Sequence, residues 1–437
     1  MKRSALWARV AYVLVIGFAT LAEPSLSTAG ALSRLGQALA PTVAGRDFVD
    51  ALRNVVLFVG WGAVWTITSR PGRAWPTILR ATLAGLAVSL GAEAFQLFST
   101  ERAPSILDVL TNTAGAFCGA LTTVVLVVVL RARRARKSYV GIPMMLFAAG
   151  YGFAAFAEAW SPLFRQDRIP GLWGDPLSRL QVALHNVVGP GVIGFGALDV
   201  LLFIPAGALA VAALAESGVS YPMAAGLASL AGIAFCGLAE LGHGASGSWI
   251  AVAPMTAHMA GVVLGAWLAV PLIPAYTRHV RGAERPLVLL IVYAFVLALW
   301  YLRPFSIELD ATSIGARVRA SNFVPLLAYR ERVDVFTAVD AVVPAFQLVP
   351  VGGLLAVWPF RRRGVWSGIA PGALIVTVFE ALQIIVAGRY FDITDALIAT
   401  AALGLGFAVV RRAGYRPYGE LASVVSSDGR AAGQATT

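Results

Sequence analysis

Long runs of mainly apolar residues recur along the whole chain, each close to the 20 or so residues an α-helix needs to cross a bilayer's hydrocarbon core. They lie near 5–22, 50–69, 77–98, 107–130, 140–160, 192–214, 221–241, 252–273, 286–303, 338–359, 365–387 and 393–411. With 58% of residues hydrophobic and 13% charged, a soluble globular domain is excluded as the starting class. In lipid every backbone N–H and C=O must be bonded within its own segment, which predicts helices throughout. The expected fold is therefore an all-α integral membrane protein of about twelve transmembrane helices. The first run also fits a cleaved signal peptide, since Lys2, Arg3 and Arg9 precede an apolar core and Ala22 offers a small-residue site. A retained helix is the preferred reading, because the later repeats begin with a similar helix.

The net charge of +11 does not point to nucleic acid, because the basic residues punctuate the apolar runs instead of forming one basic domain. Their placement sets an orientation instead. With the N-terminus inside, the inner side collects Lys2, Arg3, Arg9, Arg70, Arg73, Arg80, Arg131, Arg133, Arg134, Arg136, Lys137, Arg278, Arg281, Arg285, Arg361 to Arg363, Arg411, Arg412, Arg416 and Arg430, most of the 34 Lys and Arg. Of the acids, only Glu216, Glu284, Glu420 and Asp428 fall on that side. Both termini are expected in the cytoplasm, with the longer loops 23–47, 161–186 and 304–337 outside. The Ser, Ala and Gly-rich tail 417–437 is expected to be disordered. Arg outnumbers Lys by 32 to 2, a composition that suits a GC-rich bacterial genome and hence a bacterial inner membrane.

The chain repeats itself. Asn54-Val-Val-Leu-Phe-Val-Gly-Trp-Gly62 answers Asp199-Val-Leu-Leu-Phe-Ile-Pro-Ala-Gly207 and Leu348-Val-Pro-Val-Gly352, so that Gly62, Gly207 and Gly352 are spaced 145 residues apart. About 30 residues beyond each glycine stands an acid, Glu93, Glu240 or Glu380. The expected organisation is three tandem, parallel four-helix units, 1–137, 138–285 and 286–416.

Polar residues inside the runs carry the functional signal. Glu93 and Gln96 share a helix face. Arg102 follows in a short loop, and Asp108, Asn112, Gly115 and Gly119 then form one stripe of the next helix. The third repeat keeps the acid, amide and guanidinium spacing in Glu380, Gln383, Arg389 and Asp395. In the second, His243, Trp249 and His258 stand where the first has Gln, Arg and Asn. An ionisable residue at a membrane helix centre costs about 2.5–3.5 kcal/mol on insertion scales, so a partner or a ligand must offset it. One reading is an outward-facing pocket in which Arg meets phosphate or carboxylate and the acids accept from hydroxyls or amines. The other is that these groups pair among themselves and staple a loop. Cys118 and Cys236 sit alone in apolar runs and read as packing residues. No metal site, cofactor or recognised catalytic motif is indicated.

Asn54-x3-Phe58-x3-Gly62, Glu93-x2-Gln96, Arg102 and Asp108-x3-Asn112-x2-Gly115 resemble the VanZ-like family, most fully over about 80 residues of the first repeat and the last two helices of the third. Gly60 replaces a common Pro of the first motif and Ala399 replaces the Asn in the third repeat, so the complete polar set occurs once. The resemblance implies a small helical membrane domain of the cell envelope, and for the type member a role in tolerance of the antibiotic teicoplanin. On that basis Asn54, Glu93, Gln96, Arg102, Asp108, Asn112, Glu380, Gln383, Arg389 and Asp395 are the candidate ligand-binding residues. The candidate partners are membrane lipids, a lipid-linked glycan or a peptidoglycan-related molecule. Transport of a lipid or small solute, general-base catalysis by Glu93 or Asp108, and a purely structural scaffold are the competing functions.

Overall fold

The computed structural model describes residues 3–21, 27, 31–38, 45–70, 72–99, 104–132, 138–160, 181, 184–185, 187–188, 197–245, 250–282, 284–302, 306–325, 335–357, 360 and 364–414. The expected cleavage site at Ala22, Arg102 and the tail 417–437 lie outside the described residues. The protein is overwhelmingly helical. Among the described residues seven helices are long and apolar enough to cross a membrane: Ala74–Gln96, Ile106–Arg131, Ala197–Glu216, Tyr221–Gly244, Val252–His279, Val365–Ile385 and Ile393–Ala413. The other five predicted runs contain shorter apolar stretches, Ala5–Gly17, Asn54–Thr68, Met144–Ala157, Arg285–Tyr301 and Val342–Val357.

The chain divides into two compact units. The first holds α1 (Arg3–Leu21), α2 (Ala31–Ala38), α3 (Gly45–Thr68), α4 (Ala74–Gln96) and α5 (Ile106–Ala132) up to Val128. Helices α3 and α5 cross with their backbones almost touching: a Cβ on Gly62 would lie 2.2 Å from the Ala116 carbonyl oxygen, and one on Gly119 2.0 Å from that of Val59. Small residues are what allow such an approach in lipid, where apolar side chains gain nothing by leaving their surroundings. Phe58, Trp61, Ala116 and Ile16 fill the space around the crossing. Helix α1 is tied on at mid-length by Tyr12, whose hydroxyl donates to the Leu57 carbonyl at 2.9 Å. Towards its start Arg9 donates to Thr68 and Ser69 and lies 3.8 Å over the Trp65 ring.

The second unit holds α6 (Met144–Trp160), α7 (Ala197–Glu216), α8 (Tyr221–Ala245), α9 (Val252–His279), α10 (Arg285–Tyr301), α11 (Ala311–Ala320), α12 from Val343 to its end (helix Val335–Val357), α13 (Val365–Leu382) and α14 (Ile393–Ala413). The glycine crossing recurs twice. A Cβ on Gly207 or Gly265 would lie 2.0 Å from the carbonyl oxygen of Val262 or Ile204, and one on Gly352 or Gly406 2.0 or 1.8 Å from that of Leu403 or Val349. The tyrosine bond recurs as well: Tyr151 donates to the Leu202 carbonyl and Tyr293 to that of Gln347, at 3.0 Å for the latter. Each acceptor, Leu57, Leu202 and Gln347, is the fifth residue before the crossing glycine.

Two expectations need amendment. The runs 23–47 and 304–337, read as loops, each contain a short helix, α2 and α11. Asp310 caps α11 by accepting from the Ser313 N–H at 2.8 Å, and its hydrogen bonds to Ser313 and Thr312 hold its carboxyl well below the usual carboxylate range. The chain also pairs locally as strands, β1 (Val187–Val188) running parallel to β2 (Ile250–Ala251), and Asn322 bridging Asp392 in the same sense. These contacts precede α9 and α14, where the first-turn N–H groups have no helical partners.

Replacing Gly119 with alanine should lower the melting temperature, because the added methyl meets backbone that has nowhere to go. The control is Gly91, where a Cβ meets nothing within 4 Å and alanine should be neutral or stabilising by up to about 1 kcal/mol. Thermal melts of both variants in detergent check the contrast.

Candidate functional site

In the first unit the polar residues gather where α4 ends and α5 begins. Glu93 is buried in the last turn of α4, and one carboxylate oxygen accepts from the Ser105 backbone N–H at 2.8 Å. Ser105 itself caps α5, its hydroxyl accepting from the Leu107 N–H at 3.2 Å. An anion at this place complements both the free N–H groups and the dipole of α5. Gln96, one turn on and also buried, donates to the Thr20 carbonyl of α1 at 3.2 Å. Asp108 lies half-buried in the first turn of α5. Asn112 is 2% exposed, and its amide nitrogen donates to the Ser89 hydroxyl at 2.9 Å while its oxygen has no hydrogen-bond partner. Asn54 is half-buried on α3, beside Val55, whose carbonyl packs against Gly115 of α5.

The second unit repeats this arrangement with changes. Glu380 is 2% exposed and accepts from the Gln383 amide at 3.0 Å. Asp395, Arg389 and Asp392 all act on it electrostatically. Arg389 is exposed and Asp395 half-buried. Asp392 takes the capping role of Ser105, accepting from the Thr394 N–H at 2.7 Å and from the Asn322 amide at 3.3 Å. At the intermediate repeat, Glu240 is buried with His243 3.4 Å away. There Asp199 and His258 stand 3.8 Å apart, with the imidazole stacked on Phe203, at the positions of Asn54 and Asn112. Among the described residues no three His, Cys, Asp or Glu side chains group to hold a metal ion. A cavity of about 190 Å³ is lined by apolar residues of α7 and α9 with Tyr276, and by none of the predicted site residues.

Several residues at these ends were not legible beforehand. Arg34 of α2 donates to the carbonyls of Leu97 and Ser27, both at 2.8 Å. Arg317 of α11 does the same to those of Ile384 and Glu308, at 2.6 and 3.0 Å. The Ser27 N–H donates to the Phe98 carbonyl and the Glu308 N–H to that of Ile385, at 2.8 and 2.9 Å. Leu97 and Ile384 are each the fourth residue after the buried glutamate, so one clasp is built twice. The acceptors common to both copies are main-chain oxygens and leave no mark on residue identity; Arg317 adds a bond to the Glu308 carboxylate at 2.7 Å. The arginines alone were a signal, since Arg34 and Arg317 stand in the loops 23–47 and 304–337.

A chain of apolar helices with backbone-tight glycine crossings and buried acids at helix ends is a multi-pass membrane protein. A model of the VanZ/LLP1 family matches residues 7–131 and 288–414, more than half of the chain, and the protein belongs to that family. The two matched stretches contain the two clasps and the two acid and amide sets. No curated protein and no solved structure matches the chain.

The bond to Ser105 N–H gives Glu93 a structural role that an amide can fill. Glu93→Gln should keep an acceptor and change stability little, whereas Glu93→Ala strands the Ser105 N–H and should cost about 1–3 kcal/mol. Melting of the two variants in the same detergent separates the cases.

Proposed function

We propose that this protein is a polytopic component of the bacterial inner membrane, with twelve spans in three consecutive four-helix units, 1–137, 138–285 and 286–416, and with both termini in the cytoplasm. The triple recurrence of the tyrosine bond and the glycine crossing supports the three units, and the placement of Lys and Arg supports the orientation. In this reading the polar helix ends face outward and bind an envelope lipid, a lipid-linked glycan or a glycopeptide-related ligand. The observation that carries it is the recurrence of acid, amide and basic residues, at one spacing, in both stretches matched by the family.

The roles divide along lines of burial. Glu93 and Gln96 are engaged with the protein's own backbone and hold the helix ends in place. Asp108 and Asp395, less buried and one helical turn into α5 and α14, are the groups that accept from ligand hydroxyls or amines. Arg102 and Arg389 are assigned to phosphate or carboxylate, which a guanidinium meets with two parallel bonds. Asn112 offers the unpartnered end of its amide, and Asn54 is assigned to the same site. Binding, not turnover, is the inferred activity. A scaffold role is the second reading, and the internal bonds of Glu93, Gln96 and Gln383 favour it, since each satisfies its group without a ligand.

Native mass spectrometry of the purified protein tests the binding reading. Wild type should retain a lipid or lipid-linked species that is lost from a double Asp108→Asn, Asp395→Asn variant of equal thermal stability. Identical lipid profiles would leave the scaffold reading standing. For topology, in a background lacking Cys118 and Cys236, a cysteine at Ser178 should label in intact cells. One at Ser426 should label only after permeabilisation.

A further inference from the structure

Apolar side chains crowd the short segment around α11. Ile307 and Leu309 stand just before the helix, Phe323 and Val324 just after it, and Val318 lies near its end. All five are exposed, Leu309 and Phe323 by 70% and 61%. Exposed apolar residues gathered on so short a stretch mark a contact with a membrane or with another protein.

The depth of this segment is fixed, because both its ends are knitted to the turn between α13 and α14. Before α11 the Glu308 N–H donates to the Ile385 carbonyl at 2.9 Å, and the Ser306 carbonyl accepts from the Ala387 N–H at 2.7 Å. After it the Asn322 N–H donates to the Phe391 carbonyl and the Asn322 carbonyl accepts from the Ile393 N–H, at 2.9 and 3.0 Å. Arg317 adds its clasp on Ile384 and Glu308, and the Phe323 ring packs on Phe391 with centroids 5.4 Å apart. The apolar spans on either side of the turn are Val365–Ile385 and Ile393–Ala413. A segment bonded to the end of one and the start of the other lies where both meet the bilayer surface. Its polar side chains are meanwhile spent on the protein: Glu308 on Arg317, Asp310 on the first turn of α11, Asn322 on Asp392. Neighbours alternate in an extended chain, so Ile307 and Leu309 face away from Glu308.

We propose that residues 306–325 are a membrane-surface element, with Ile307, Leu309 and Phe323 entering the boundary between headgroups and acyl chains in the leaflet where α13 ends. The partner is the lipid surface itself, which is continuous with the lipid around the two spans to which the segment is bonded. The first repeat presents the same surface in smaller form. Leu35 follows Arg34 as Val318 follows Arg317, and it is exposed, as is Phe98, whose carbonyl accepts from the Ser27 N–H. The proposal requires only that α13 and α14 cross a membrane, and it stands whether or not the polar helix ends bind a ligand.

The test is depth-resolved fluorescence quenching of the full-length protein in phosphatidylcholine vesicles. In a background lacking Cys118 and Cys236, Leu309→Cys and Phe323→Cys each carry an environment-sensitive fluorophore, and only variants that melt as their parent does are compared; Val318→Cys supplies a third position if either fails. The vesicle lipid bears a nitroxide either near its headgroup or at the end of an acyl chain. Each label should be quenched about threefold more by the shallow nitroxide than by the deep one, as an element lying in the interface requires. Each should also be shielded from iodide in the water, at high and low protein density alike. Quenching by iodide with none by either nitroxide places the residues in water and overturns the proposal. Shielding from iodide without nitroxide quenching also overturns it and assigns the surface to a protein contact, a second copy if the shielding is lost when the protein is diluted in lipid.

Discussion

Everything else in this protein depends on how closely two backbones pass at a glycine crossing. In a bilayer, helices gain no hydrophobic free energy by touching one another, so packing and polar contacts must hold them. At Gly62 and Gly119, at Gly207 and Gly265, and at Gly352 and Gly406, the absent Cβ is the space that the opposite main chain occupies. That contact fixes both the distance and the register of two helices. Register in turn determines what reaches the helix ends. Gly115 seats α5 against Val55, which puts Asn112 opposite Ser89 and Asp108 in the turn above it.

The polar ends then diverge on a common frame. The positions of Asn54 and Asn112 become Asp199 and His258, then Pro344 and Ala399, so an amide pair is exchanged for an acid and imidazole and finally for no polar group. The buried glutamate persists in all three places with different company: a backbone N–H for Glu93, an imidazole for Glu240, an amide for Glu380. Its constancy belongs with the fold, and the variation around it with whatever distinguishes one repeat from the next.

The helices were legible because lipid imposes a length and a composition on every span, and the glycines because close approach admits hardly any other residue. The spacing from Glu380 to Arg389 and Asp395 sets these residues around one short turn between two helices. The partners of the acids were not legible. Glu93 meets a main-chain N–H, and Gln96 a main-chain carbonyl, neither of which has a sequence signature. Helices α2 and α11 were hidden for a related reason. They are short, polar and partly exposed, and periodicity says little about them; arginine bonds to the ends of α4 and to the turn after α13 tie them down.

The tyrosine bonds and the arginine clasps share a property with a long reach: apart from the Glu308 carboxylate, which also accepts from Arg317, their acceptors are carbonyls of the main chain. The residues bearing those carbonyls, Leu57, Leu202 and Gln347 in one series and Leu97 and Ile384 in the other, differ in size and polarity without altering the bond. Half of each tie is thus beyond the reach of substitution. A fold built on such ties tolerates change of the side chains at the acceptor positions while the helices stay assembled. The intermediate stretch lacks most of the motif and still crosses at Gly207 as tightly as the crossings at Gly62 and Gly352.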